Sequence, residues 1–111
     1  MKHSMNLQQR FFDYIKNGTK RIELRLFDEK RQKIKVGDTI EFSSQEGESF
    51  EAEVVDLLRY DSFEKLFADY DISILADKSM TKEELLGVLQ EFYTPEKQAE
   101  YGVVGIKIKL V

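Results

Sequence analysis

The sequence predicts a single α+β domain in which a small, mostly antiparallel curled sheet or barrel carries flanking helices. Apolar and polar residues alternate in four stretches, at the period of strands with one buried face. Two later stretches repeat their apolar residues at helical spacing. Turns and hairpin loops separate most of the strands, which favours this arrangement over a doubly wound parallel sheet. The 111 residues suit one domain, since domains typically hold about 100–150 residues.

A short helix is predicted to begin at Asn6 and to end at Asn17-Gly18. Asn6 is a favourable N-cap, and apolar side chains follow it at helical spacing: Leu7, Phe11, Tyr14 and Ile15. Gly18 suits the left-handed conformation in which helices often end. The next stretch, Arg21–Leu26, alternates three apolar residues with three charged ones, which predicts a strand with a charged face.

The middle of the chain predicts an exposed loop followed by a hairpin. Phe27–Lys35 is polar and basic, as exposed loops usually are. Two strands flank the hairpin loop Ser44–Ser49, and their inward residues are Ile40 and Phe42 on the first and Phe50, Ala52 and Val54 on the second. The alternation stops after Val54, which predicts a bulge or bend in the second strand.

Two helices are predicted after the hairpin, with a loop between them at residues 71–80. Either Asp61 or Ser62 caps the first helix. Thr81 and Glu84 have the spacing of a capping box at the start of the second. The inward stripe of this second helix is Leu85, Val88, Leu89 and Phe92.

The C-terminal segment predicts a helical turn and a strand. Pro95 opens the turn, because proline fits the first position of a helix, and Gly102 ends it. In the strand that follows, the residues that point inward are Val104, Ile106, Ile108 and Leu110, while Gly105, Lys107 and Lys109 point the other way.

The composition excludes several classes of metal-binding and catalytic site. Without cysteine there is no disulfide framework, thiolate zinc site or cysteine nucleophile. The single histidine, His3, cannot form a multi-histidine metal site. A group of acids surrounds the hairpin, Glu46, Glu48, Glu51 and Glu53, but alternating carboxylates on a strand are usually solvated. We therefore expect no metal ion and no cofactor.

The hydropathy pattern predicts a soluble, cytoplasmic protein with no membrane partner. Met1–Arg10 lacks the apolar run of a signal peptide. The longest apolar stretches hold four or five residues, whereas a membrane-spanning helix needs about 20.

The charges are distributed unevenly along the chain. Residues 1–35 hold ten Lys and Arg residues against four acids, whereas the rest holds seven against seventeen. The formal net charge is −4. This asymmetry is consistent with a basic face that meets an anionic partner. It is equally consistent with charges that pair across the fold.

The segment Gly18–Arg25 holds the strongest candidate site. Lys20 stands at the start of the predicted strand, and Glu23 and Arg25 are two residues apart, so they share one face of it. Arginine offers a planar fork for phosphate, and lysine a point charge whose pKa falls when it is desolvated. The group can therefore hold a phosphate or polarise a carbonyl. The structural alternative is a solvated strand face with weak ion pairs.

This segment resembles the G-x-K-x-x-E-x-R signature of the ASCH family (activating signal cointegrator homology). Further blocks resemble small stand-alone microbial members of the family: Leu26–Arg31, Ile34-Lys35 before Gly37-Asp38, and Tyr101–Val104. The resemblance implies a PUA-like β-barrel whose motif lines a cleft, and a function in binding single-stranded RNA or a nucleoside or nucleotide. The ligand-binding residues implied in this way are Gly18, Lys20, Glu23 and Arg25.

The resemblance also implies an alternative function as a hydrolase. One branch of small ASCH proteins hydrolyses the acetyl amide of N4-acetylcytidine with a lysine base, a threonine nucleophile and a distant glutamate. Here the threonine position is Glu23, and Lys78-Ser79 stands where the distant glutamate is expected. If the chain is an enzyme, Lys20 and Glu23 are its candidate catalytic residues. They would form an acid–base pair towards a modified nucleoside or single-stranded RNA.

Other features leave their alternatives open. Tyr93, Glu96 and Tyr101 precede the last strand and either line the cleft, where Tyr101 could stack on a base, or close the barrel. The basic loop Lys30–Lys35 is either a nucleic-acid contact or an ordinary soluble loop. A third possibility is that the motif only braces the barrel of an interaction module. The oligomeric state is open, although a free edge on the C-terminal strand would allow a dimer.

Overall fold

A computed structural model describes all residues from 1 to 111. Its strands are β1 (Lys2–Asn6), β2 (Ile22–Leu26), β3 (Thr39–Ser43), β4 (Ser49–Tyr60) and β5 (Val103–Leu110). Its helices are α1 (Gln9–Lys16), α2 (Phe63–Asp69), α3 (Ile72–Leu75), α4 (Lys82–Phe92) and α5 (Pro95–Tyr101). One 3-10 turn, Arg31–Lys33, lies in the loop between β2 and β3.

The strands form one curled half-barrel sheet in the order β1-β3-β4-β5-β2. Three of the four neighbouring pairs are antiparallel, and β1 lies parallel to β3. The predicted α+β class with a mostly antiparallel, curled sheet is therefore confirmed. None of the helices combines the length and apolar character that crossing a membrane requires.

Two apolar cores, one on each side of the sheet, position the helices. The first packs Phe12 and Ile15 of α1 into the curl of the sheet, against Phe42 and the inward residues of β4 and β5. The second packs α2, α3 and α4 against Ile22, Leu24 and Leu26 of β2. Strand β2 therefore buries its apolar face under the helices. Its charged face, which carries Glu23 and Arg25, is turned towards the inside of the curl.

The predictions for the N-terminus and for residues 71–80 were wrong in part. Residues 2–6 form strand β1, which has only one buried apolar residue, Met5, and so shows no alternation. Asn6 ends this strand and is not a helix cap, since α1 begins at Gln9. The segment predicted as a loop contains α3, which is capped by Asp71 through a hydrogen bond from the Ser73 N–H to the Asp71 side chain at 2.9 Å.

Most other elements were predicted correctly. The bulge in β4 falls between Val54 and Asp56. Both hydrogen bonds of the predicted capping box join Thr81 and Glu84. However, Phe92, placed in the inward stripe of α4 by the sequence, is 55% exposed. Strand β5 lies between β4 and β2, so it has no free edge along its paired length, and that route to a dimer is wrong.

Gly105 allows β5 to lie between two packed layers. The sequence pattern placed it on the polar face with Lys107, but the structure buries it. A Cβ atom at this position would lie 2.9 Å from Ile22 Cγ2 and 3.1 Å from Leu66 Cδ1. These distances are too short for carbon atoms, so β2 and α2 approach β5 as closely as they do because residue 105 has no side chain.

We expect Gly105→Ala to lower the free energy of unfolding by about 1–3 kcal/mol, because the added methyl group overpacks this contact. Gly87→Ala is the matched control, since a Cβ at Gly87 meets no atom within 4 Å. In the helix interior this substitution should raise stability by about 0.5–1 kcal/mol. Urea denaturation of both variants measures the two effects, and equal stabilities would contradict the packing described.

Candidate functional site

A cleft of about 190 Å³ opens between α1, β2 and α4. Its apolar walls are formed by Leu7, Phe11, Leu24, Leu85, Val88, Leu89, Phe92 and Tyr93. Its polar residues are Asn6, Gln8, Lys20, Glu23 and Arg25. An apolar cavity with a few convergent polar groups is the usual form of a small-ligand site.

Lys20 is buried at the base of this cleft, with 3% of its surface exposed. Its Nζ donates hydrogen bonds to the carbonyl oxygens of Ile22 at 2.7 Å and Leu75 at 2.5 Å. Leu75 is the last residue of α3, and carbonyls at a helix C-terminus have no partner within the helix. The ammonium group therefore fastens α3 to the beginning of β2.

Lys20 also belongs to a row of charges that continues along β2. Its Nζ lies 3.6 Å from Glu23 Oε1, and Arg25 Nε donates to Glu23 Oε2 at 2.8 Å. Burial lowers the pKa of Lys20 to about 8, with a smaller lowering from the positive charge of Arg25, while Glu23 acts in the opposite direction. Glu23 therefore neutralises two cations, and these ion pairs offset the desolvation penalty of burying both.

Arg25 joins the two edges of the half-barrel. Its Nη2 donates to the Asn6 carbonyl at the end of β1, at 3.0 Å, so a side chain bridges the strands that the backbone leaves unpaired. The side chain is 12% exposed, and its guanidinium also interacts with the side chain of Tyr93 at the end of α4. Of its five N–H groups, one donates to Glu23 and one to Asn6, and the others lie at the cleft beside Tyr93.

Aromatic rings flank these donors on both sides. Phe11 of α1 lies on one side, with the Lys20 Nζ 5.7 Å from its ring centre. Phe92 and Tyr93 at the end of α4 lie on the other, with ring centres 6.4 Å apart. A planar ligand that enters the cleft meets aromatic surface along its faces and the Arg25 donors at its edge.

The structure brings together three of the five predicted ligand-binding residues, Lys20, Glu23 and Arg25. Gly18 does not line the cleft: with φ of +85° it forms the turn that leads from α1 to β2. Tyr101 does not line it either. It lies beside the loop that carries Asp28, Glu29 and Lys30, because α5 packs at the opposite end of β2.

Several cleft residues were not predicted from the sequence. Asn6 and Gln8 reach the cleft because β1 places the start of α1 beside β2, and β1 itself has no sequence signal. Val88 and Phe92 were assigned to the core because the apolar stripe of α4 is continuous. The apolar stripe of α4 is wider than its buried face, because Leu85 and Leu89 are the only buried residues of the helix. This extra width is the sequence signal that could have placed Val88 and Phe92 at the cleft.

The acids around the hairpin are partly paired with lysines. Glu48 accepts a hydrogen bond from Lys16 at 3.0 Å and Glu51 from Lys2 at 2.8 Å. Nowhere in residues 1–111 do three or more histidine, cysteine or acidic side chains come together in a way that could hold a metal ion.

Comparison with known proteins identifies the family. The family model of the ASCH domain matches residues 5–111. The chain belongs to the ASCH domain family. Membership supports a general assignment as a PUA-like domain of the RNA-binding type.

Two solved structures are similar to this ASCH domain over nearly their whole length. The crystal structure of hypothetical protein PH0355 shares 37% identity with a TM-score of 0.89, and each chain is fully covered. The solution NMR structure of protein PF0455 from Pyrococcus furiosus shares 36% identity with a TM-score of 0.79 and covers 100% of this chain and 98% of its own. A search of curated proteins gave no match.

The lowered pKa of Lys20 makes the stability of this ASCH domain depend on pH. Unfolded Lys20 keeps its proton up to about pH 10.5, and folded Lys20 up to about pH 8. Between these values the unfolded state binds more protons, so raising the pH favours folding. The free energy of unfolding of the wild type relative to Lys20→Met should therefore rise over this range, by up to about 3 kcal/mol.

Denaturant titrations of both proteins across the pH range measure this difference in the free energy of unfolding. The contributions of the other titrating groups cancel, because both proteins contain them. A difference that stays constant, or that falls with pH, would contradict the burial of a charged Lys20. If Lys20→Met does not fold, the NMR titration of the Lys20 Cε resonance replaces it. The expected midpoint is about 8.

Proposed function

We propose that the cleft binds one unstacked base of single-stranded RNA, or the base of a nucleotide, and that Arg25 recognises the edge of that base. The observation that carries this proposal is the state of the Arg25 guanidinium. It is largely buried and held by Glu23, by the Asn6 carbonyl and by Tyr93, and it still lines the cleft with N–H groups beyond those that Glu23 and Asn6 use. A partly buried guanidinium of this kind gains when a ligand supplies further acceptors.

The aromatic walls support a base as the ligand. Phe92 is 55% exposed and lines the cleft, and ligand pockets are lined mainly by apolar and aromatic side chains. Stacking of a base on an aromatic side chain contributes about 1–3 kcal/mol and tolerates any base. Phe92 and Phe11 therefore supply affinity, while Arg25 supplies selectivity.

The size of the cleft supports a single ring system. An apolar cavity of about 150 Å³ is large enough for benzene, and the cleft holds about 190 Å³. One base fits such a space and a base pair does not. Proteins that read RNA sequence in this way act on single strands, whose bases can leave the stack.

Hydrolysis of a modified nucleoside is the alternative function of the same cleft. The lowered pKa of Lys20 favours it, because perturbed titratable groups often mark catalytic sites. The lining residues argue against it, since none is Ser, Thr or Cys. In addition, the hydrogen bonds of Lys20 and Glu23 are directed at other protein groups, which leaves neither free to move a proton.

An NMR titration of the labelled protein tests the proposal. The ligands are the four nucleoside 5′-monophosphates, N4-acetylcytidine and a short single-stranded RNA. We expect amide shifts at residues 20–25 and 88–93. Because the Arg25 donors favour two adjacent acceptors on one edge, guanine and cytosine should bind more tightly than adenine and uracil. Shifts confined to other surfaces would contradict the proposal, and release of acetate from N4-acetylcytidine would favour the hydrolase.

Two substitutions separate the contribution of the aromatic wall, Phe92, from that of the Arg25 guanidinium. Phe92→Ala should weaken nucleotide binding roughly 5- to 150-fold without loss of stability, because it removes stacking from an exposed side chain. Val36→Ala is the control, since Val36 is also exposed and lies away from the cleft. Arg25→Lys keeps the charge but loses the planar fork, so it should abolish the preference among bases. A Phe92→Ala protein with wild-type affinity would contradict the stacking.

A further inference from the structure

We propose that a basic groove beside the cleft binds the phosphodiester backbone of the RNA whose base occupies the cleft. The groove lies where β2 begins, between the Gly18 turn and the end of β5. Its exposed charged residues are Arg21, Lys107 and Lys109, the buried Lys20 also lines it, and no acidic side chain does. The identity of the ligand rests on the proposed function, whereas the charge of the groove is independent of it.

The exposed cations of the groove are not neutralised by the protein. Arg21, Lys107 and Lys109 have no carboxylate within 4.0 Å, in contrast to Lys2, Lys16 and Arg31. Lys30, Lys33 and Lys35 of the basic loop also form no salt bridge, which makes them a matched control. Asp56 stands opposite Lys107 and Glu53 opposite Lys109 in the register of the sheet, but neither acid forms a salt bridge with its lysine. The Asp56 carboxylate instead accepts a hydrogen bond from the Leu57 N–H at 2.8 Å.

The three cations line the same groove at the end of the sheet. The Ile108 N–H donates to the Arg21 carbonyl at 2.9 Å, which places Arg21 beside the Lys107–Lys109 segment. The two lysines are two residues apart on one face of β5, about 7 Å along the strand. Three exposed cations without salt bridges along one groove are complementary to a chain of phosphates.

The groove and the cleft are neighbours, because Lys20 lines both. An RNA strand that places a base in the cleft and continues past Lys20 reaches Arg21 next. Other exits are less favourable, since α4 exposes Glu84 and Glu91 directly next to the cleft residues Leu85 and Phe92. The basic loop at Lys30–Lys35 lies with Tyr101 at the opposite end of β2, and Arg31 within it is paired with Asp28 at 3.0 Å.

The test compares two triple variants that each remove three positive charges. In the groove variant, Arg21, Lys107 and Lys109 are all replaced by Gln. In the loop variant, Lys30, Lys33 and Lys35 are replaced by Gln. The affinity of each protein for a single-stranded RNA of about eight nucleotides is measured against salt concentration. The affinity for a 5′-monophosphate that binds the cleft is measured in parallel, and circular dichroism confirms folding.

We expect the groove variant to lose about 2 units from the slope of log affinity against log salt, because each phosphate contact on a single strand contributes about 0.7. The loop variant should keep both the wild-type slope and the wild-type affinity for the monophosphate. An unchanged slope in the groove variant, or equal losses in the two variants, would overturn the proposal.

The outcomes distinguish this proposal from the proposed function. If the cleft binds no nucleotide but the groove variant still loses its salt dependence, the groove stands and the cleft assignment fails. If the cleft binds nucleotides and the salt slope of the groove variant is unchanged, the cleft assignment stands and the groove proposal fails. A membrane is the competing partner. Binding of the wild type to anionic vesicles that only the groove variant loses, with RNA binding unaffected, would overturn the assignment to RNA.

Discussion

The burial of a charged lysine at the start of β2 is the constraint on which the rest of the site depends. An ammonium group can leave water only where acceptors surround it, and here the Ile22 and Leu75 carbonyls and the Glu23 carboxylate do so. Helix α3 supplies one of these acceptors, through the Leu75 carbonyl, and also packs into the second core. Glu23 is in turn oriented by Arg25 at 2.8 Å. The signature residues are therefore first a structural unit, and the cleft is a consequence of it.

The same unit explains why this half-barrel has a cleft. Strands β1 and β2 are the edges of the sheet, and they are bridged by the Arg25 guanidinium and not by a backbone ladder. A side-chain bridge fills less space than a pair of strands would, so a space remains beside Arg25. Helices α1 and α4 place aromatic rings around this space. A guanidinium held by Glu23, Asn6 and Tyr93 is preorganised, so ligand binding does not have to order it. Recognition and barrel closure thus use one side chain.

Local patterns were sufficient to predict much of this site, and topology accounts for the rest. The alternation in residues 21–26 placed Glu23 and Arg25 on one face, and the Gly18 turn placed Lys20 at its start. The aromatic wall was missed because the exposed Phe92 continues an apolar stripe that Leu85 and Leu89 already satisfy. Strand β1 was missed because a polar edge strand held by parallel backbone pairing needs no apolar alternation. The groove joins Arg21 to Lys107 and Lys109, which only the strand order brings together.

The structure of a complex tests this account most directly. The protein would be crystallised with the nucleoside monophosphate that binds it most tightly. The account predicts that the base lies between Phe11 and the Phe92–Tyr93 pair, with two of its acceptors on Arg25 Nη1 and Nη2 and with the Glu23 and Asn6 contacts of Arg25 retained. A base bound beside Tyr101, or a ligand that displaces Glu23 from Arg25, would contradict it.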